Sequence, residues 1–486
     1  VDPNRCLVAI LNSPRKKPFM PSATPSATPG SKTELSSQSL GFPSLVALVI
    51  ANMIGIGVFT SSGFSLATLG SPGQVMLAWM ICGLWAISGA VAYGGLVSRL
   101  PVSGGEYLFL SRLVHPSVGF LAGWISVFAG FTAPIALAAK GAAIHILTAR
   151  TSDDVLVSAL AASMIVLAAG CHLAGLRLGT QAQNTIVTTK MLLLAAILAV
   201  ALTSYFRVGW QGGPLPGRTA GWLPDGFSQW WVLAGSMSWI ALSYTGFNAA
   251  IYVAGESRQA SRVVPLAMLM GTLVVTLLYL LLNWVFVFAP PSSDLVDSEG
   301  RGREAVAMIA TESIGGSGLA GLLRIAIVLA MLSSVFAMLM LGPRVYHQMS
   351  LDGVMPKMIG GSSFRPAILV QAALSTVAVF LGDLLQLMTY LGLTLSACSA
   401  LTVSSLWWIH RHHPDGRPLN WIERSAVFVY MAISLCIIVA ASQQRTDQFV
   451  AMVATFATGI VLFAVWRYLH PTSVPQVLKS PGDHRR

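Results

Sequence analysis

Apolar residues run along this chain in long blocks, and polar residues collect in the gaps between them. A helix needs about 20 apolar residues to cross a hydrocarbon core of about 30 Å. The pattern predicts an all-α membrane protein with twelve transmembrane helices. They are placed at 43–68, 73–98, 117–147, 154–174, 182–205, 229–254, 264–289, 318–345, 366–382, 385–409, 425–443 and 447–469. The block at 366–382 is short and its link to the next is tight. The longest gaps are 206–228 and 290–317. The second carries Glu304 to Ser313 with apolar residues at Val306, Ile309 and Ala310, which reads as a short helix over the outer mouth.

Two blocks are interrupted. Ile54-Gly55-Ile56-Gly57-Val58 lies within the first and Ser243-Tyr244-Thr245-Gly246-Phe247-Asn248 within the sixth. Glycine lets a helix unwind and frees backbone N–H and C=O groups. At membrane depth such groups are tolerated only where protein or a water-filled cavity surrounds them. Paired interruptions in two halves of a chain point to a transporter's binding site. They suggest two five-helix repeats, 41–205 and 206–410, inverted in the membrane, with two further helices in 411–470. Residues 1–40 and 471–486 are polar; they read as a disordered cytoplasmic tail and a cytoplasmic C-terminal tail.

Composition agrees with a membrane protein. Of 486 residues 55% are hydrophobic and 10% charged, and the mean hydropathy is +0.71; soluble domains carry roughly 25% charged residues. The net charge of +11 could suggest nucleic acid, but its distribution argues against that partner. With the N-terminus placed in the cytoplasm, 20 Lys and Arg fall on the cytoplasmic side, six on the other, and Lys140, Lys190 and Arg324 within the spans. This is the positive-inside asymmetry. It places both termini in the cytoplasm of an integral protein, expected in the plasma (inner) membrane, with weak attraction to anionic lipids. The five cysteines have no metal or cofactor spacing. Cys82, Cys398 and Cys436 read as buried small residues.

Several motifs resemble those of one family. Gly55-Ile56-Gly57-Val58-Phe59 is similar to the G-x-G-[IV]-F motif of amino acid transporters in the amino acid–polyamine–organocation superfamily. Pro101-Val102-Ser103-Gly104-Gly105-Glu106-Tyr107 resembles its segment after the second span. Ser243 to Asn248 resembles its break in the sixth, and Gly255-Glu256 with Arg262 and Pro265 its exit from that span. Gly342-Pro343-Arg344-Val345-Tyr346, followed by Asp352-Gly353 and Pro356, resembles its segment after the eighth. The resemblance implies a LeuT-like 5+5 inverted repeat with broken helices 1 and 6 plus two extra helices, working by alternating access. It leans toward the L-type amino acid transporter branch. Eukaryotic members of that branch often pair with a heavy chain through a cysteine in the loop after the third span. Here Leu147 to Asp154 holds no cysteine, so no disulfide-linked heavy chain is expected.

An amino acid brings a carboxylate and an ammonium. Half-helix N-termini offer N–H groups and a positive dipole end to the carboxylate, which assigns it to the backbone of Ile56, Gly57 and Val58. Freed carbonyls of Asn52, Met53, Ile54, Ser243 and Tyr244 suit the ammonium. Gly55 and Gly246 supply the flexibility. Tyr244 and Phe247 read as gate and pocket wall, or as core packing. Asn248 either lines the pocket or caps the inner half-helix.

Lys190 lies about 12 Å into the membrane by helical rise, where an ionisable residue is functional by default. In related sodium-independent transporters a fifth-span lysine stands where LeuT-like symporters bind sodium. The resemblance implies that the Lys190 ammonium bonds carbonyls at the start of span 1; a lysine that titrates there would couple transport to protons. Lys140, Arg324 and His145 read as interfacial. Glu106, Glu256, Arg262, Arg344 and Asp352 read as inner-gate ion pairs or loop structure. His410, His412 and His413 read as a solvated basic loop rather than a metal site. The expected function is a sodium-independent permease for amino acids, working by exchange or proton coupling. With no acidic residue in either broken stretch, the substrates are expected to be neutral. The alternatives are a sodium-coupled symporter of the same fold, for amino acids or other organic amines, and a transporter-like sensor. Paired carboxylates, nucleophile motifs and metal clusters are missing from the sequence pattern, so an enzyme is not expected.

Overall fold

The computed structural model describes residues 40–147, 154–218, 221–360, 363–381, 384–407, 409, 418–444 and 446–470. The two tails, most of the 147–154 loop and the His410–His413 loop therefore lie outside the described residues. Each of the twelve apolar blocks is helical.

The first block is two helices, α1 (Phe42–Met53) and α2 (Gly57–Leu69), bent by 40° at the break between them. Gly70 ends α2 in a left-handed conformation (φ 75°), and Pro72 starts α3 (Pro72–Arg99), where a missing N–H costs nothing. Next come α4 (Gly105–Leu113) and the span α5 (Pro116–Leu147). Within α5 the stretch Ser126–Thr132 widens into a π-helix, a device frequent at functional sites. Then follow α6 (Asp154–Ala174), α7 (Leu176–Val208) and α8 (Phe227–Tyr244), the last continued after a turn by a 3₁₀ segment, Ala249–Glu256. The chain goes on with α9 (Ala260–Phe288), α10 (Val306–Leu351), α11 (Arg365–Leu381), α12 (Leu384–Ser404), α13 (Trp421–Gln444) and α14 (Thr446–Leu469).

Three features refine the sequence reading. The sixth block does not stay α-helical to residue 254, because the helix stops at Tyr244. The short helix expected over the mouth is the first part of α10, set off from the rest by non-helical Gly315 and Gly316. The segment after Pro101 forms α4, which packs along α5.

Among the described residues nine helices are long and apolar enough to cross a membrane, and the α1–α2 pair makes a tenth. The outer helices leave large apolar side chains exposed, among them Leu192 on α7 and Val461 on α14. Contiguous apolar surface of this kind suits hydrocarbon rather than water. The chain is an integral membrane protein. Inside, α3 packs along α9, α10 along α7 and α5, and α2 along α8. The two interrupted helices thus meet in the centre.

Candidate functional site

The break after α1 begins where Ile54 turns extended (φ −80°, ψ 92°). Gly55 N–H closes back on Met53 O at 3.0 Å. Because α2 starts at Gly57, the N–H groups of Ile56, Gly57 and Val58 come too early to find intrahelical acceptors. Phe59 N–H is the first to close, on Ile56 O at 3.0 Å. On the other side Ser334 Oγ of α10 lies 2.9 Å from Ala51 O and 3.2 Å from Ile54 O.

At the second break Gly246 takes φ +94°, a conformation that glycine enters without a Cβ clash. Gly246 also lies against the first break, since a Cβ there would sit 2.5 Å from Asn52 Nδ2. Gly57 is similarly tight: a Cβ would lie 2.4 Å from Ser243 Oγ. The breaks touch only because glycine stands on both sides.

Tyr279 of α9 ties them together. Its hydroxyl lies 2.7 Å from Met53 O and 2.9 Å from Ser243 O, the carbonyls at the ends of α1 and α8. A phenol has one hydrogen to give, so it serves one carbonyl at a time; Met53 O also holds the Gly55 N–H, whereas Ser243 O loses this donor when the hydroxyl turns to Met53. Sequence inspection passed over Tyr279, which sits in an uninterrupted apolar helix with no local motif.

Between the breaks, the π-helical stretch of α5 and the wall of α10 and α12 lies a cavity. It holds about 980 Å³ of empty space, counting its opening to the surroundings. Asn52, Met53, Gly55, Ile56 and Gly57 line it from the first break, and Ser243, Gly246, Phe247 and Asn248 from the second. Asn52 Oδ1 is buried there with no hydrogen-bond partner among the described residues. A buried acceptor left open costs about 1–3 kcal/mol, so this oxygen is suited to a donor that arrives with a ligand.

Three residues expected to offer backbone groups keep their side chains out of the wall. Ile54 and Val58 turn fully buried side chains into the core. Tyr244 follows the core-packing alternative: it packs between Trp79 and Tyr279 at ring-centroid distances of 5.6 and 5.1 Å, and its hydroxyl donates to Trp79 O. It occupies the face of α8 turned toward α3 and α9. Phe247 does line the cavity, edge-on to Trp85 and Tyr93. Asn248 lines it too, and its side chain makes no capping bond. Leu242, Trp85, Phe131 and Ser399 belong to the wall and were not anticipated.

Lys190 is fully buried away from the cavity wall, and its ammonium donates to Ser333 Oγ at 2.6 Å. The resemblance implied carbonyls at the start of span 1 for this ammonium; the carbonyls of Ala51 and Ile54, at the other end of α1, are served by the neighbouring Ser334. Cys436, expected to be buried, is exposed on α13, while Cys82 and Cys398 are buried.

The face where α1 begins is tied by ion pairs. Arg344 meets Glu256 at 2.6 Å, Arg112 meets Asp352 at 2.9 Å and Arg99 meets Glu423 at 3.0 Å. Two of these pairs use carboxylates that the sequence reading placed there. Glu106 differs: it is buried in the cavity wall and takes no part in these pairs.

Two interrupted helices that face one cavity, with unpaired backbone donors at one helix start, give a helical membrane protein the layout of a solute carrier. Residues 40–466 match the sequence model of the amino acid permease family, and the chain belongs to that family. Relatives are transporters rather than enzymes. The chain is 26% identical over 403 residues to cationic amino acid transporter 3, mitochondrial, of Arabidopsis thaliana, covering 79% of this chain and 64% of that protein's length. It is 24% identical to the b(0,+)-type amino acid transporter 1 of Oryctolagus cuniculus, covering 77% of this chain and 76% of the relative. It is also 24% identical to the large neutral amino acids transporter small subunit 2 of Homo sapiens, covering 82% and 75%.

Proposed function

We propose that this permease moves amino acids across its membrane by alternating access, without sodium, by exchange or by proton coupling. In this reading twelve spans form two inverted five-helix repeats and two added helices. The positive-inside asymmetry puts both termini in the cytoplasm, in a plasma (inner) membrane. The substrate carboxylate sits on the N–H groups of Ile56, Gly57 and Val58. The ammonium goes to Asn52 Oδ1 and to whichever of the Met53 and Ser243 carbonyls Tyr279 leaves open. The observation that carries the proposal is the pairing, in one cavity, of unpaired N–H groups at the start of α2 with an orphaned acceptor at the end of α1. Together they match the two charges of an amino acid.

Sodium independence rests on Lys190 and Ser334. The first places a buried ammonium beside α10, and the second occupies the α1 carbonyls that a cation would otherwise find. The expectation of neutral side chains rests on the absence of an acid in either break; Glu106 enters the wall from a third element.

Uptake of a panel of labelled amino acids into proteoliposomes, with and without internal amino acid, a pH gradient and sodium, tests the reading. Uptake that needs internal substrate identifies an exchanger, and uptake driven by the pH gradient identifies proton coupling. Uptake that requires sodium overturns the sodium-independent reading, and no uptake by folded protein overturns transport itself. In the proton-coupled case Lys190→Ala is expected to flatten the pH profile of uptake; an unchanged profile would make the lysine structural.

A further inference from the structure

Arg344 of the Gly342-Pro343-Arg344-Val345-Tyr346 motif serves an ion pair with Glu256, but Gly342 and Tyr346 turn elsewhere. They lie four residues apart and so share a face of α10. That face meets α11 and the widened stretch of α5. A Cβ on Gly342 would fall 2.7 Å from Gln371 Oε1 of α11 and 3.0 Å from the ring of Phe131 in the π-helical stretch. The glycine lets three helices close on one point.

Gln371 is fully buried there, in a short and mostly apolar helix. An amide without partners in such a place is strongly disfavoured, and this one has a full set. Its Nε2 donates to Thr132 Oγ1 at 3.1 Å and to Ser375 Oγ at 3.0 Å, and its Oε1 accepts from the Tyr346 hydroxyl. The same hydroxyl lies 3.4 Å from Val127 O. Gln371 and Tyr346 therefore grip the widened turn at both ends, near its start at Val127 and at its last residue, Thr132.

That turn shapes one side of the cavity. Ser126, Gly130 and Phe131 line it, while no described residue of α11 does. Phe131 stands edge-on to Tyr252, another wall residue, at 5.3 Å between ring centroids. Pro134 makes it easier to open the helix here, because it has no N–H for Gly130 O. A proline by itself kinks a helix; bonds from outside, to Val127 O and Thr132, hold a wide turn instead. Closing the turn to α-helix would rotate the part of α5 before it by about 100°, one residue's step, against the part after it. Ser126 and Phe131 could not then both face the cavity.

We propose that Gln371 is a positioning residue for substrate selection: through Tyr346 and Thr132 it holds the π-helical turn of α5 in register, and so fixes Phe131 and the size of side chain that the cavity accepts. Gln371 acts from outside the wall. The proposal rests on the reading of the cavity as a substrate site.

The test measures selectivity. Full-length protein in proteoliposomes is assayed for maximal rate and KM with the bulkiest and the smallest members of the labelled amino acid panel that wild type carries. Gln371→Leu keeps the volume and removes the amide. With the turn released Phe131 leaves the wall, and the bulky substrate gains. The bulky-to-small ratio of maximal rate over KM is expected to rise by about fivefold or more, within the range that side-chain size commands in a binding pocket. The change should lie mainly in KM. Thr132→Val, which keeps the shape and loses the hydroxyl, should shift the ratio the same way, and Thr132→Ser should stay close to wild type. A network that only stabilised the fold would change the amount of folded protein and leave the ratio alone. An unchanged or lowered ratio in Gln371→Leu therefore overturns the proposal and leaves transport standing, whatever happens to the melting temperature. A Thr132→Ser variant that shifts as far as Thr132→Val overturns it too. No uptake of any amino acid by folded wild type overturns the transport reading and this one with it. If Gln371→Leu fails to fold, the Thr132 pair decides.

Discussion

The break between α1 and α2 is short and keeps its helices, whereas the break after α8 is long and changes the helix type. The first interrupts three residues, bends the axis by 40° and resumes as α-helix at Gly57. Its glycines do not take a positive φ. The second puts Gly246 at φ +94° and continues as 3₁₀-helix to Glu256, with Val253 outside helical geometry. Glycine therefore has two jobs. In the first break it makes room, because Gly57 lies against Ser243. In the second it also makes the turn itself. A bend whose Ile56, Gly57 and Val58 N–H groups hold no partner among the described residues has few bonds to break when it rocks, while a stretch rebuilt as 3₁₀ helix has fixed partners to lose. The first break thus suits a moving gate, and the second a fixed wall that carries Phe247 and Asn248.

The largest effect should come from filling the room. Gly57→Leu is expected to abolish uptake while the protein still elutes as a folded species. Its Cβ alone would lie 2.4 Å from Ser243 Oγ and 3.3 Å from Ser243 Cα, and its branches would cover the N–H groups meant for a carboxylate. Uptake at the wild-type rate would remove Gly57 from the site.

Gly246→Ala comes next, and it distinguishes the two jobs. Left-handed backbone costs a non-glycine residue roughly 1–2 kcal/mol, and the new Cβ would also press on Asn52 Nδ2 and on Asn52 O at 2.9 Å. Uptake is expected to fall by about tenfold or more, with a lower melting temperature, since strain of this kind acts on the folded state itself. A thermal transition equal to wild type would show that the second break relaxes as easily as the first, and the contrast would fail.

Both breaks were legible in the sequence because each puts glycine into a block otherwise able to span a membrane. Their partners were not legible. Tyr279, Ser334 and Glu106 lie far from the breaks along the chain, and helix packing alone brings them in. The two readings of Tyr244, gate or core packing, could not be separated for the same reason: the motif fixes its position in the break but not which face of α8 it occupies. Glu106 had a local signal, the Gly104-Gly105 pair before it, which marks a turn. Whether that turn points the carboxylate at solvent or into the cavity depends on Tyr252 and Ser399, which no local pattern ties to it. The apolar blocks predicted the helices well because membrane helices are set by local hydropathy. The π-helical stretch at Ser126–Thr132 changes neither length nor polarity and left no trace in the pattern.

Tyr279→Phe probes the brace between the breaks and should have an intermediate effect. Loss of the hydroxyl takes that donor from Ser243 O and from Met53 O, which keeps the Gly55 N–H, and a buried carbonyl left without a donor costs about 1–3 kcal/mol. The substrate's ammonium can offset part of this by reaching both carbonyls, but it must then hold the breaks together without help. KM is expected to rise by about three- to tenfold, with a smaller change in maximal rate. A fall in maximal rate at constant KM would mean that the brace acts on the opening motion instead.

The smallest effect is expected at Gly55, and it sharpens the contrast from the other side. Gly55 lines the cavity, sits in the middle of the first break and belongs to the same Gly-x-Gly motif as Gly57. By motif alone the two glycines are equivalent. In space they are not: a Cβ on Gly55 would meet only Ser334 Oγ, at 3.8 Å, an ordinary contact. Gly55→Ala should therefore lower uptake by no more than about two- to threefold, the cost of a slightly stiffer hinge rather than of a clash. If it matched Gly57→Leu in severity, the first break would need glycine for its backbone freedom during transport. The difference drawn between the two breaks would then describe one resting conformation and not how they work.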